Sequence, residues 1–395
     1  MSGAERRGEE VPPEARPPSS ALHSALMISA SFGGGHHQAS SAVAQALAER
    51  VRLRLAQVDA VEMLTPAERA LIVGVYGFWL RHLPAAYHAF YRWTDQPSEP
   101  RIVTSSFEWL GIGGLRRELL AQRPELVVST FPTSVALADT VRRREGLHFL
   151  NALVLTDYRV HHHWARPQAD LLLLPTESTR REMLGWGMAP ERLAVTGLPV
   201  SLEVERLSRL GRLERRREML AALGWDEDPP EPLILLSGGS GVYGAFMEIL
   251  EVLGNLGERV RVLVVAGPCP PGVQQLGGAA VHHLGYRADF AALLAGVDLL
   301  VGKAGGMTVA ETTALGVPLV VYRPIPGQEE HNAEYLLEHG AALWPRSPHE
   351  LRRAVLTLLD PQARARTAAA ARALGCPDAA RQVAGELLTR LGWEA

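Results

Sequence analysis

An apolar run of strand length, Val297-Asp298-Leu299-Leu300-Val301, passes through Gly302-Lys303-Ala304-Gly305-Gly306 into Met307-Thr308-Val309-Ala310-Glu311, and the stretch from Thr308 to Leu315 has helical spacing. A chain that turns from strand to helix on glycines is committed to β-turn-α units, and hence to an α/β fold. Such a turn aims unpaired backbone N–H groups and the positive end of the helix dipole outward, where a phosphate is favoured. Glu311 lies one turn beyond Thr308 on the same helical face. The turn-rich segment Arg323-Pro324-Ile325-Pro326-Gly327 then delivers Gln328, Glu329 and Asn332, side chains suited to bonding hydroxyls. Phosphate donors, a carboxylate and hydroxyl-binding groups together point to a nucleotide-sugar site.

The same β-turn-α form recurs near the start. The run 25–30 reads as a strand, Ser31-Phe32-Gly33-Gly34-Gly35-His36-His37 as a turn, and 38–50 as an alanine-rich helix. No glycine stands three residues after Gly35, so the turn is not a dinucleotide fingerprint. Further strands are expected at 53–58, 126–130, 153–156, 171–175 and 193–196, giving one parallel doubly wound unit over 21–200. A charged helix at 204–223 and the run Asp226-Glu227-Asp228-Pro229-Pro230 break the rhythm, so the junction is placed near residue 200. A second alternation follows over 201–395. Its strands are expected at 233–236, 260–266, 281–283, 299–301, 319–322 and 341–344, all parallel, with a helix near 242–256 and closing helices over 348–393. Two such units facing one another would bind ligands in the cleft at the carboxyl ends of their strands.

A length of 395 residues suits two cores rather than one. With 47% hydrophobic and 21% charged residues and a net charge of −3, the chain has the composition of a globular protein, and its overall charge offers no case for nucleic acid. Cys269 and Cys376 are too few for a disulfide framework and fit a reducing compartment. Residues 1–20, rich in Glu, Arg, Pro and Ser, read as a disordered tail. No apolar run is long enough to span a bilayer. The stretch Ala67 to Asp95 nevertheless carries seven aromatic residues, among them Phe78, Trp79 and Trp93, interleaved with arginines. Apolar bodies with polar tips suit a membrane surface, and the other reading is two ordinary packed helices.

The order of these motifs carries a resemblance. Gly33-Gly34-Gly35-His36, Thr156-Asp157-Tyr158 with His161 and Trp164, Leu284-Gly285-Tyr286, the turn at 302–311, and Pro326-Gly327-Gln328-Glu329 with Asn332 together resemble the GT-B lipid glycosyltransferases of family 28. Among these the chain is similar to the monogalactosyldiacylglycerol synthases and the processive diacylglycerol β-glucosyltransferases. The likeness runs from about Gly33 to Ala342. It implies two Rossmann-like doubly wound domains, the first facing the acceptor and the membrane, the second binding a UDP-sugar. It implies that His36 acts at the acceptor hydroxyl, a role an imidazole can fill near neutrality. Gly34, Gly35, His161 and Trp164 would line the acceptor side. Gly238, Gly239 and Ser240 would face the donor diphosphate, together with Lys303, Gly305, Gly306, Met307 and Thr308. Glu311 would hold the ribose, Gln328, Glu329 and Asn332 the sugar hydroxyls, and the backbone at Tyr286 and Arg287 the uracil.

Asp157, at the carboxyl end of its strand, is read either as sharing the base role or binding the acceptor, or as a helix cap. Consecutive histidines cannot all face one ion from regular structure, so His161-His162-His163 is not read as a metal site. No metal or cofactor is expected, because backbone dipoles can receive the leaving diphosphate. The activity expected is an inverting transfer of a hexose from a UDP-sugar to a diacylglycerol-type lipid, by a cytoplasmic protein peripheral at the inner membrane face with anionic lipids as partners. The alternatives are transfer of GlcNAc or another sugar to a polyprenyl-linked acceptor, a UDP-sugar epimerase, or a non-catalytic nucleotide-sugar-binding module.

Overall fold

The computed structural model describes residues 22–31, 34–83, 109–159, 161–238 and 243–393. The tail at 1–20 and most of the aromatic stretch lie outside these. In the first unit the apolar runs become β1 (His23–Ser29), β2 (Leu53–Asp59), β3 (Leu126–Ser129), β4 (Leu150–Val154), β5 (Leu171–Leu174) and β6 (Leu193–Val195). All pair in parallel, in the order β2-β1-β3-β4-β5-β6. Strands β3 and β5 are buried throughout, as continuous apolar runs covered on both faces should be. The covering helices are α1 (Gly34–Ala48), α3 (Ile112–Gln122), α4 (Pro132–Glu145) and α5 (Glu177–Gly185), and α2 (Pro66–His82) lies between β2 and α3 in the chain with its described residues mostly exposed. The chain leaves β1 to one side for β2 and returns on the other with β3, so the crevice that binds ligands in such sheets opens between β1 and β3. Helix α1 begins at Gly34 rather than at residue 38, which puts His36 in its first turn.

The expected helix at 204–223 is two helices, α6 (Leu202–Ser208) and α7 (Arg212–Leu223), broken at Gly211, where Glu214 accepts the Gly211 N–H and restarts the helix. The second sheet then contains β7 (Leu233–Ser237), β8 (Val260–Val265), β9 (Gly272–Leu276), β10 (Ala279–Gly285), β11 (Leu299–Gly302), β12 (Leu319–Val321) and β13 (Ala342–Leu343). Their order is β13-β12-β11-β7-β8-β10-β9, with the switch between β7 and β11. The expectation of a wholly parallel sheet needs correction: β9 pairs antiparallel with β10, through a turn with Gly277 at φ 53°. Its exposed Gly-Val-Gln-Gln-Leu sequence is an edge strand, too polar to register as an apolar run.

Between these strands lie α8 (Phe246–Gly254), α9 (Phe290–Gly296), α10 (Gly306–Leu315) and α11 (Gln328–Glu338), followed by α12 (Pro348–Leu359), α13 (Pro361–Leu374) and α14 (Ala379–Leu391). The last helix departs from a division at residue 200. Ala380, Val383, Ala384 and Leu387 of α14 share a core with Ala42, Val43 and Leu47 of α1, and His23 stacks on Trp393 at 4.1 Å. The chain thus returns to its first unit at the end. The two units also meet across the cleft, where Ala39 and Tyr158 join a core containing Ala304, Met307 and Ala310.

Candidate active site in the interdomain cleft

His36 stands at the β1/β3 switch point. Its Nδ1 donates to the Thr130 carbonyl at 2.6 Å, and the Thr130 hydroxyl donates back to the His36 carbonyl at 3.1 Å. A carbonyl can only accept, so Nδ1 carries the proton and Nε2 is left with the basic lone pair. Phe131 meets the imidazole edge-on at 5.7 Å and Trp164 stacks on it at 6.4 Å. Desolvation among these groups lowers the imidazole to about 4, against the opposing pull of the Thr130 carbonyl and the Asp59 charge. The ring is therefore neutral at physiological pH, the protonation state a general base requires. His37, next in the same helix, is exposed. Thr130 and Phe131 had escaped the sequence reading; their position just after β3 at the switch point is the signal that would have found them.

Asp157 lies where the two units touch. Asn332, fully buried in α11, donates from Nδ2 to Asp157 Oδ1 at 3.2 Å and to the Ala304 carbonyl at 3.0 Å, while its Oδ1 accepts the Tyr158 N–H at 2.9 Å. One amide hydrogen and the carbonyl oxygen of Asn332 thus reach across to the first unit, while its other amide hydrogen binds within the second. Its place is a clasp between them rather than the sugar-facing surface expected for it. Burial raises the Asp157 carboxyl to about 6, Asn332 pulling it down and the Glu329 charge pushing it up. Tyr158 stacks on Tyr335 at 4.8 Å, and Arg159 pairs with Glu338 at 2.9 Å across the same seam.

The first turn of α10 is pressed into this seam. A Cβ on Gly306 would overlap the Thr156 carbonyl oxygen, and one on Gly35 would come within 3.3 Å of Met307 Cγ. The glycines thus permit the helix start of each unit to approach the other. Gly306→Ala should force the units apart, costing stability about 1–3 kcal/mol as an overpacked contact does. It should also lower activity more than unfolding explains; a fully folded, fully active variant by circular dichroism and assay would contradict this.

On the second wall, Lys303 follows β11 and its Nζ pairs with Glu329 Oε1 at 3.1 Å, while Glu329 Oε2 accepts the Ile325 N–H at 2.7 Å. Glu329 is only 4% exposed, so this pair sets the 323–328 turn against the α10 start. Gln328 and Thr308 are half-buried at the same edge. Glu311 is 7% exposed, and its carboxylate has no hydrogen-bond or ion-pair partner among the described residues. Burial alone raises it to about 7. A buried carboxylate without a partner is costly in the empty protein, and one that receives donors from a ligand recovers that cost.

Gly238 follows β7, where a Cβ would come within 2.5 Å of Tyr243, whose hydroxyl donates to the Tyr322 carbonyl at 2.7 Å. Gly239 and Ser240 lie outside the described residues. Tyr286 is 86% exposed just after β10, and the Arg287 guanidinium is engaged by Asp289 and the Ala222 carbonyl.

His161 is buried and its Nδ1 accepts the His163 N–H at 3.0 Å, so the neutral ring carries its proton on Nε2. Trp164 is buried against His36, as described above. Among the described residues no three His, Cys, Asp or Glu side chains are grouped to hold a metal ion. Phe78 is 54% exposed on α2, the side chain of Trp79 and all of Trp93 lie outside the described residues, and no described helix is long and apolar enough to cross a membrane. Asp228 of the acidic run pairs with Arg216 at 2.8 Å, on the surface and away from the cleft residues.

Two doubly wound units with a basic imidazole on one wall and, on the other, a buried carboxylate that is unpaired among the described residues, beside a glycine helix start, define a GT-B nucleotide-sugar enzyme. Residues 36–200 match the monogalactosyldiacylglycerol (MGDG) synthase family, and residues 234–383 match the glycosyltransferase family 28 C-terminal domain. The chain belongs to the family 28 glycosyltransferases. It is 26% identical over 346 residues to a processive diacylglycerol beta-glucosyltransferase of Bacillus subtilis, spanning 85% of this chain and 86% of that one. A protein of the same description from Staphylococcus saprophyticus is 27% identical, over 80% and 79% of the two chains. MurG from Acinetobacter baumannii superposes with a TM-score of 0.61 at 18% identity, over 93% of this chain and all of that one. A UDP-GlcNAc 2-epimerase from Neisseria meningitidis superposes with a TM-score of 0.58 at 13% identity, over 93% and 100%. These superpositions bear on the fold alone, because a transferase and an epimerase share it.

Proposed function

We propose that the protein transfers a hexose from a UDP-sugar to diacylglycerol in a single inverting displacement. The observation that carries this reading is the pairing of His36, whose Nε2 has the lone pair, and Glu311, a buried carboxylate lacking a partner among the described residues, on opposite walls of one cleft. The acceptor hydroxyl loses its proton to His36 Nε2 as its oxygen attacks the anomeric carbon, and UDP leaves toward the backbone N–H groups that open α10. Ribose hydroxyls donate to Glu311. Asp157, held by Asn332, sits at the seam where donor and acceptor meet and supplies negative charge there when ionised. An epimerase has no use for a lipid acceptor, so the two readings part on product: incubation with UDP-glucose or UDP-galactose and dioleoylglycerol should give a β-linked glycolipid. Free sugar in place of glycolipid would contradict transfer.

Charge on the leaving diphosphate is met by helix-start N–H groups and Lys303, so activity should survive EDTA. Complete loss restored by Mg²⁺ or Mn²⁺ would overturn that part of the reading. The lipid acceptor places the working protein at a membrane, and we assign it to the inner face, with α2 docking on anionic lipid. Phe78→Ser combined with Trp79→Ser and Trp93→Ser should weaken sedimentation with anionic vesicles while UDP affinity holds. Unchanged sedimentation of the folded variant would assign docking to another face.

A further inference from the structure

Next to Phe131, which packs on His36, the first unit contains a cavity of about 170 Å³. Val61, Met63, Leu64, Leu110, Leu115 and Leu137 line it together with Phe131, whose ring also meets the imidazole, so one residue borders both the cavity and the base. Its walls are fixed. Gly111, at φ 79°, approaches Leu64, where a Cβ would meet Cδ2 at 3.3 Å, and Gly114 packs so tightly on Met63 that a Cβ would come within 2.7 Å of the Met63 carbonyl oxygen. Helix α2 is tied to the rim: Arg69 donates to the Val61 carbonyl at 3.2 Å, and Glu68 accepts the Gly111 N–H at 3.4 Å. The cavity is thus bordered by residues tied to α2 at one rim and by Phe131 beside His36.

A packed core holds few voids of this size, and an apolar one stays dry and accepts an apolar ligand; a cavity of about 150 Å³ takes benzene. In diacylglycerol the free hydroxyl and the start of an acyl chain are only a few bonds apart. Seating the hydroxyl at His36 Nε2 brings the first chain carbons to Phe131. We infer that this cavity receives about the first six carbons of one acyl chain and thereby sets the lipid's hydroxyl against the base. The inference rests on the proposed transfer to diacylglycerol.

The test uses glycerol esters with one acetyl group and one chain lengthened from acetyl through butyryl and hexanoyl to decanoyl, with UDP release as the readout. For the parent, kcat/KM should rise about two- to fourfold per added methylene as far as about hexanoyl, then level off, because each methylene that enters leaves water and later ones find no room. Val61→Phe and Leu137→Phe, which fill the cavity, should each lower the hexanoyl-to-acetyl ratio of kcat/KM by about fourfold or more. A flat series for the parent, or a rise continuing unbroken to decanoyl, would overturn the cavity assignment while leaving transfer intact. No lipid-dependent UDP release with any ester would overturn the transfer reading and the inference with it. The parent series decides the question even where a filling variant fails to fold.

Discussion

Replacing His36 by alanine should lower turnover about 10²–10⁴-fold, the usual contribution of a general base, while UDP still binds. The expectation follows from one tautomer. Because Nδ1 is bound to the Thr130 carbonyl, Nε2 has the lone pair. The pH profile separates this base from its neighbour. A base must be unprotonated, so rate is lost as pH falls through its value. With His36 lowered to about 4, kcat/KM should stay level from neutrality down to about pH 5, whereas a base at Asp157, raised to about 6, would already lose rate between about pH 7 and about pH 5. Near-normal turnover of His36→Ala with a large loss in Asp157→Asn would move the base to Asp157.

Glu311→Ala should weaken UDP binding by about 1.5–3 kcal/mol, about 10- to 150-fold, the range for a lost bond to a charged group. The same side chain leaves a mark on stability. Its folded value of about 7 exceeds its ordinary 4.5, so the folded chain holds this proton more tightly than the unfolded one. Its contribution is complete below the unfolded value and is lost as pH rises through about 7. Glu311→Gln cannot ionise, so its Tm should fall less than the parent's between about pH 5 and about pH 8 in the absence of UDP. Equal slopes in calorimetry, or calorimetric UDP affinity unchanged in Glu311→Ala, would remove Glu311 from the donor site.

Local chemistry made both glycine turns legible in the sequence. A strand, two or three glycines and a helix can form only one kind of turn, and Lys303, Glu311 and His36 were found because they sit at those turns. What the sequence could not disclose depends on tertiary approach. Asn332 looked like a sugar ligand until its amide was seen spanning to Asp157 and Tyr158, residues far away in the chain. Thr130 is unremarkable in sequence and matters through a main-chain carbonyl. Strand β9 escaped because it is exposed, and α14 because nothing in an alanine-rich amphipathic helix says which unit it will cover. The cavity beside Phe131 is formed by three separate segments and has no linear signature.

The central claim is that this cleft joins a UDP-sugar to a lipid hydroxyl through His36. The most direct measurement is UDP release from a UDP-hexose with and without diacylglycerol, for the parent and for His36→Ala. The account predicts release by the parent that requires the lipid, and its loss in the variant with UDP affinity retained. Lipid-independent release, or equal lipid-dependent release by both proteins, would contradict it.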